Sequence, residues 1–214
     1  STVVRIASLI RITGTIETVT PLAIGGASIC GKDGVRQFPK SLSSGMPHIP
    51  APHLRGAIRG LLELEHVEVR AAAGANSRAL YSRRDVNCGL LTVFGGPCVE
   101  AWSEVYRRGC LRIRDAVLLK TAVSTRLYEA TGRWVALRSA PRLAVSRYGP
   151  PGAAHDPIVY ECLPSGMEFG LDMSYCIYSG GHDVEADVRR ALEHLALVKH
   201  GLHLLAAHHL AWGG

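Results

Sequence analysis

The sequence predicts an α+β fold whose core runs β-α-β-β-α-β, the ferredoxin-like arrangement, with inserted loops and a hairpin arm. Three observations predict it. Residues 3–20 alternate with β-branched side chains, two segments carry apolar residues at helical spacing, and alternating runs lie between and after them.

The first strand is "VVRIASLIRITGTIETVT". Ile10, Ile12 and Ile16 fall on one face, and Arg11, Thr13, Thr15 and Glu17 on the other. Gly14 marks a bulge or bend within it. The opening "STVVRIASLI" reads as part of this strand and not as a signal peptide, because no small-residue cleavage site follows. Pro21 and the Gly25-Gly26 pair end the run. Residues 27–50 have no period and hold Pro39, Pro47 and Pro50, so they read as a long loop, a length that is usually functional or mobile.

Pro52 suits the first turn of a helix. Leu54, Ile58, Leu61 and Leu62 follow at helical spacing, while Arg55 and Arg59, four apart, share another face. This helix ends near Glu65 or His66. Residues 67–92 read as an exposed insertion, "VEAWSEVYRRG" as a short helix closed by Gly109, and "CLRIRDAVLL" as a strand.

Residues 120–160 carry Arg126, Arg133, Arg138, Arg142 and Arg147 with Tyr128, Trp134 and Tyr148 among them, and read as an exposed hairpin or arm. "IVYECLPSGMEFGLDMSYCIY" is a pair of strands about a Pro-Ser-Gly turn. In the helix over 184–199 the stripe is Val184, Val188, Leu192, Leu195 and Val198. Gly201 caps that helix, and "LHLLAAHHLAW" is the last buried strand.

The 214 residues suggest one domain, 1–214, and a hydrophobic fraction of 47% can fill its core. No apolar run approaches the roughly 20 residues of a membrane span. Net charge is +6 and the sequence pI about 9.2. Of 24 basic residues only Lys32, Lys40, Lys120 and Lys199 are lysines, leaving 20 arginines. The arginine fork suits phosphates and base edges, so the composition favours a polyanion partner such as nucleic acid. Arginine excess also follows from a GC-rich genome. Six cysteines form no C-x-x-C pair, which gives zinc no support and makes free thiols in a reducing cytoplasm the expectation.

The sequence holds no P-loop, no G-x-S-x-G and no H-E-x-x-H. His194, His200 and His203 surround a helix end, and His208-His209 would point to opposite faces of a strand, so the histidines read as structural or surface residues.

What remains is a basic loop, Gly-rich ends and an arginine arm. "TGTIETVTPLAIGG" resembles the first strand and Gly-rich turn of the CRISPR RAMP superfamily. "MPHIPAPHLRGAIRGLLE" resembles that family's Pro-x-Ile-Pro-(Gly/Ala)-Ser-Ser-Leu-(Lys/Arg)-Gly-x-x-Arg signature, with Pro52-His53 in place of the two serines. "RIRDAVLLKTAV" is similar to its middle strand, "VSRYGPPGAAHDPIVYECLPSGMEF" to its later loop and turn, and "GLHLLAAHHLAWGG" to its last strand. The strongest resemblance is to the repeated backbone subunit of type III effectors, with the type IV backbone subunit second.

The resemblance implies an RRM-like core, a β-hairpin thumb within 120–160, binding of guide RNA and then target RNA or DNA, head-to-tail contact with further copies, and other effector subunits as partners. It implies RNA contact for Gly25, Gly26, Lys32, Arg36, Lys40, His53, Arg55, Arg59, Arg126, Arg133, Arg138, Arg142 and Arg147. A subunit that holds any guide contacts phosphate and sugar more than base edges. Asp33 stands near the spacing of the family's loop aspartate, which implies target-RNA cleavage with a divalent metal such as Mg2+. An Asp-Gly turn is the alternative use of Asp33. Two rival functions stay open: a guide-processing endoribonuclease using His48 or His53, and a stand-alone RRM-like RNA-binding protein.

Overall fold

The computed structural model describes residues 5–24, 35–65, 89–95, 109–142, 155–179 and 183–207. The strands are β1 (Arg5–Glu17), β2 (His48–Ile49), β3 (Leu111–Ile113), β4 (Ala116–Leu118), β5 (Ala136–Arg142), β6 (His155–Cys162) and β7 (Glu168–Ser179). The helices are α1 (Ala51–Glu65), α2 (Gly89–Phe94), α3 (Ala122–Thr131) and α4 (Val184–Ala207). The chain divides into two compact units, one of residues 1–14, 50–115 and 171–210, the other of 15–49, 116–170 and 211–214. β1 passes from one to the other after Gly14. It continues through that glycine as one strand.

In the first unit β7 is hydrogen-bonded to β1 and, antiparallel, to β3. The first and second core strands thus both lie against the third, as a ferredoxin-like sheet requires. Alternation along β7 sends Leu171, Met173, Tyr175 and Ile177 into the core. The helical layer supplies Leu54, Ile58 and Leu62 of α1, each fully buried, with Leu90, Val93 and Phe94 of α2. The spacing of the three α1 residues is the one the sequence predicts.

Helix α4 departs from expectation. It runs through Gly201 to Ala207, so Gly201 is no cap and the strand expected from Leu202 onward begins as helix; residues 208–214 lie outside the described residues. The glycine is there for close packing. A Cβ on Gly201 would stand 2.6 Å from Ile58 Cγ2 and 2.9 Å from Leu62 Cδ1. The buried stripe is Ala191, His194, Val198, Gly201 and Leu205, while Val188 and Leu192 are exposed. Small and polar residues line the contact, so counting large aliphatic side chains places the stripe on the wrong face.

In the second unit β2 pairs with β4, and β4 pairs with the start of β7. The expected strand over "CLRIRDAVLL" is two strands. Leu111 faces Tyr175 and Val117 faces Gly170, so six steps along one strand answer five along the other. The extra residue is a bulge at Arg114–Asp115.

β5 and β6 form a separate two-stranded sheet, which is the expected hairpin; its tip lies outside the described residues. β6 and β7 flank a turn at Gly166 (φ 78°) but belong to different sheets, so they are not a hairpin with each other. Within the expected arm, α3 is a helix set by its ends. Thr121 and Ser124 form a capping box, and Gly132 closes the other end at φ 66°.

Among the described residues, Cys110, Cys162 and Cys176 are free and buried, and burial pushes the thiols of Cys110 and Cys162 up in pKa. No helix there is long and apolar enough to cross a membrane.

Candidate nucleic-acid interface

Arg55 and Arg59 sit in the first unit on the face of α1 that meets α2. Arg55 donates through Nη2 to the carbonyl of Phe94. Arg59 donates through Nη1 to the carbonyl of Gly95 at 3.0 Å and through Nε to Glu63 Oε1 at 2.6 Å. Those two carbonyls end α2, where no intrahelical donor reaches them. Both arginines therefore hold the end of a neighbouring helix, an engagement the sequence does not announce. Burial lowers the Arg55 pKa, and repulsion from Arg59 and Arg112 adds to it.

A second set of cations lies on the other face of the same sheet. Asp172 of β7 receives Arg11 of β1 through two bonds, Nε to Oδ1 at 3.0 Å and Nη2 to Oδ2 at 3.1 Å. Arg114 of the bulge reaches Oδ2 of the same carboxylate at 3.3 Å. Arg112 stands opposite Ser174, two residues from Asp172 and so on the same face. Hydrogen bonding with Tyr178 raises the Arg112 pKa. The Arg11 bond, above all, holds Asp172 below the usual carboxylate range.

Two guanidiniums thus share one carboxylate on an exposed face, and a third lies on the same face. Arg11 and Arg114 keep 65% and 79% side-chain exposure. Exposed pairs of this kind add little to stability. They fix the orientation of two planar forks, a group whose geometry also suits phosphate oxygens. The sequence shows only that these three alternate with apolar residues. Arg11 lies opposite the isoleucines of β1, and Arg112 and Arg114 alternate with apolar residues in "LRIRD".

The remaining predicted residues fall elsewhere. Arg126 and Arg133 are exposed at α3 and just beyond it, and Arg138 is exposed on β5 opposite Tyr160. Arg142 pairs with His155 through its backbone. Arg36 is exposed, with its backbone tied to Val159 and Glu161 of β6. Lys40 donates to Glu161 at 2.8 Å. His53 lies in the first turn of α1 and His48 on β2, one in each unit. Gly25, Gly26, Lys32, Asp33 and Arg147 lie outside the described residues, and among those described no three His, Cys, Asp or Glu converge as a metal cage.

His194 is structural, as expected. It is buried on α4, its Nδ1 hydrogen-bonded to the Tyr175 hydroxyl. Burial lowers its pKa first and Arg190 adds to this, against a smaller opposing effect of Glu193. The unfolded chain takes up this proton near pH ~6.5 and the folded chain only below that. Between the two values the unfolded state binds more protons, so stability falls as pH drops. His194→Gln should therefore flatten the fall in urea midpoint below pH ~6.5. It should leave part of it, because His53 is lowered by burial too. An unchanged slope would exclude His194 as the source.

The RAMP superfamily model matches residues 15–197, most of the chain. The chain belongs to the RAMP superfamily. Two solved structures are similar to it in fold. A chain in a cryo-EM structure of the type III-B Cmr-beta bound to cognate target RNA superposes with a TM-score of 0.50 at 15% identity, over 78% of this chain and 46% of that one. Csm3 from Methanopyrus kandleri gives 0.49 at 18% identity, over 92% of this chain and 71% of that one. This RAMP chain thus spans less than half the length of the first of them. No curated protein matches it by sequence.

Proposed function

We propose that this RAMP protein is a guide-RNA-binding backbone subunit of a multisubunit CRISPR effector of type III or type IV. In this reading it repeats head to tail along the guide beside other effector subunits, and it engages target RNA or DNA. Family membership carries the reading, and the neighbour bound to cognate target RNA supports it. The Arg11, Arg112 and Arg114 face supports it: Asp172 orders two of the three guanidiniums, and such forks suit a phosphate backbone without reading sequence.

The test is filter binding of single-stranded RNA across a salt series. Arg11→Ala with Arg114→Ala should weaken binding and lower the salt slope by about 1.4, roughly 0.7 for each lost phosphate contact on a single strand. An unchanged slope would remove this face from the interface. Arg55→Ala with Arg59→Ala separates two roles in the same assay. Phosphate contact lowers the slope, while a purely structural role lowers the melting temperature and leaves the slope alone.

Cleavage of target RNA is proposed for Asp33 with a divalent cation. One carboxylate fits only an ion that takes its other ligands from water and RNA phosphates, as Mg2+ does. When bound, such an ion would stabilise charge on the scissile phosphate and leaving oxygen. Asp33→Ala in the assembled complex should abolish metal-dependent cleavage and leave RNA affinity intact. Full retention of cleavage would leave Asp33 as a turn residue.

A further inference from the structure

In the second unit, Tyr128 on the last turn of α3 stacks on Trp134, with ring centroids 4.4 Å apart and planes inclined by 24°. Trp134 is partly buried and Tyr128 remains 44% exposed, so Tyr128 is the outer ring of the pile. A pair formed only to hide apolar surface would have both rings inside. The backbone between the two rings is tied down by hydrogen bonds. The N–H of Gly132 returns to the carbonyl of Tyr128, and Thr131 Oγ1 donates to Leu127 O while accepting from Arg133 N at 3.2 Å. The outer ring is therefore held before any ligand arrives, which removes ordering cost from binding.

The surroundings are cationic. From Leu119 to Ser139 the chain carries Lys120, Arg126, Arg133 and Arg138 against Glu129 alone. Arg133 is exposed and immediately precedes Trp134. A flat apolar ring beside excess positive charge complements a nucleotide, whose base stacks while its phosphate meets the guanidinium.

We propose that Tyr128 and Trp134 form a stacking ledge for one unpaired RNA base, with Arg133 taking the adjoining phosphate. This rests on the RNA-binding function proposed above and adds to it a contact of a different physical kind. The Arg11 and Arg114 face acts on phosphates and is read in salt dependence. The ledge acts on a base, and stacking carries no counterion release.

The experiment titrates the full chain with a fluorescent single-stranded oligoadenylate and with the same oligomer made abasic. Wild type should bind the abasic oligomer more weakly at every salt concentration. Tyr128→Leu, which keeps apolar contact with Trp134 but removes the outer π-face, should bind oligoadenylate about 5- to 150-fold more weakly, the range for loss of one stacked base. Its salt slope should stay that of wild type, and it should no longer distinguish the two oligomers as strongly. Tyr128→Phe should bind as wild type. Equal binding by Tyr128→Leu and wild type, with the salt slope intact, would overturn the ledge and leave RNA binding standing. Equal affinity of wild type for the two oligomers would overturn it without any variant. Absence of RNA binding by wild type would overturn both readings together.

Discussion

Gly109→Ala is expected to unfold the first unit at ordinary temperature. Gly109 has φ +71°, in the left-handed region, where a non-glycine residue costs on the order of 1–3 kcal/mol. The larger effect is contact. A Cβ there would stand 2.5 Å from Gly95 N and Val93 O, and 2.6 Å from Phe94 C. All three are backbone atoms at the end of α2, so no rotamer change can clear them. Overpacking adds a further ~1–3 kcal/mol at sites that can yield, and this one yields poorly. Together these approach the ~5–15 kcal/mol by which a domain is stable at all.

The Gly109 junction is also where the Arg55 and Arg59 donors arrive, and where Cys110 N donates to Thr92 O at 2.9 Å. Displacing it should release Val93 and Phe94, both buried, from the core. Circular dichroism and a thermal melt of purified Gly109→Ala decide the matter. A melting temperature within about 3 °C of wild type, a shift that corresponds to about 1 kcal/mol in a chain of this length, would refute the account.

How much of this was legible in the sequence depends on how local each cause is. β1 and α1 could be read because alternation and 3.6-residue spacing are properties of the segment itself. The helix α3 was missed although its signals were present. It buries Ser124 and exposes most of the rest, so it has little apolar periodicity, and its definition rests on the Thr121–Ser124 box and Gly132. Gly201 was misread because a glycine near the end of a helical pattern signals a cap, whereas its reason lies on another helix, in Ile58 and Leu62. The break at Arg114–Asp115 is visible only against the register of β7.

The candidate interface divides the same way. Arg55 and Arg59 stand out by spacing, but each also donates to a carbonyl at the end of a helix, 39 and 36 residues away in sequence. Arg11, Arg112 and Arg114 look like ordinary solvent-facing strand residues until the sheet is assembled. Only then does one carboxylate from β7 gather two of them, with the third on the same face.

Glu161→Ala should cost the second unit about 2–3 kcal/mol, the loss of a charged hydrogen bond plus an orphaned buried donor. Glu161 of β6 is 9% exposed. Its Oε2 accepts from the backbone N–H of Phe38 at 2.9 Å and its Oε1 from Lys40 at 2.8 Å. Phe38 is itself 1% exposed, so its N–H has no water to turn to once the carboxylate is gone. Lys40 is more exposed and can return to solvent, which keeps the figure below that for a fully buried pair.

Glu161→Gln separates the two contributions. It retains an acceptor for Phe38 and loses the charge opposite Lys40, so it should recover more than half of the stability lost in Glu161→Ala. Lys40→Ala should then cost less than Glu161→Ala, because it strands no buried donor. Were Lys40 instead held chiefly for RNA, Lys40→Ala would lower the salt slope of binding by about 0.7 with an unchanged urea midpoint. The ion pair on β6 predicts the reverse: a shifted midpoint and the wild-type slope. The two measurements on that one variant therefore decide whether the basic loop's last lysine is a contact for nucleic acid or an anchor for the segment that leads to it.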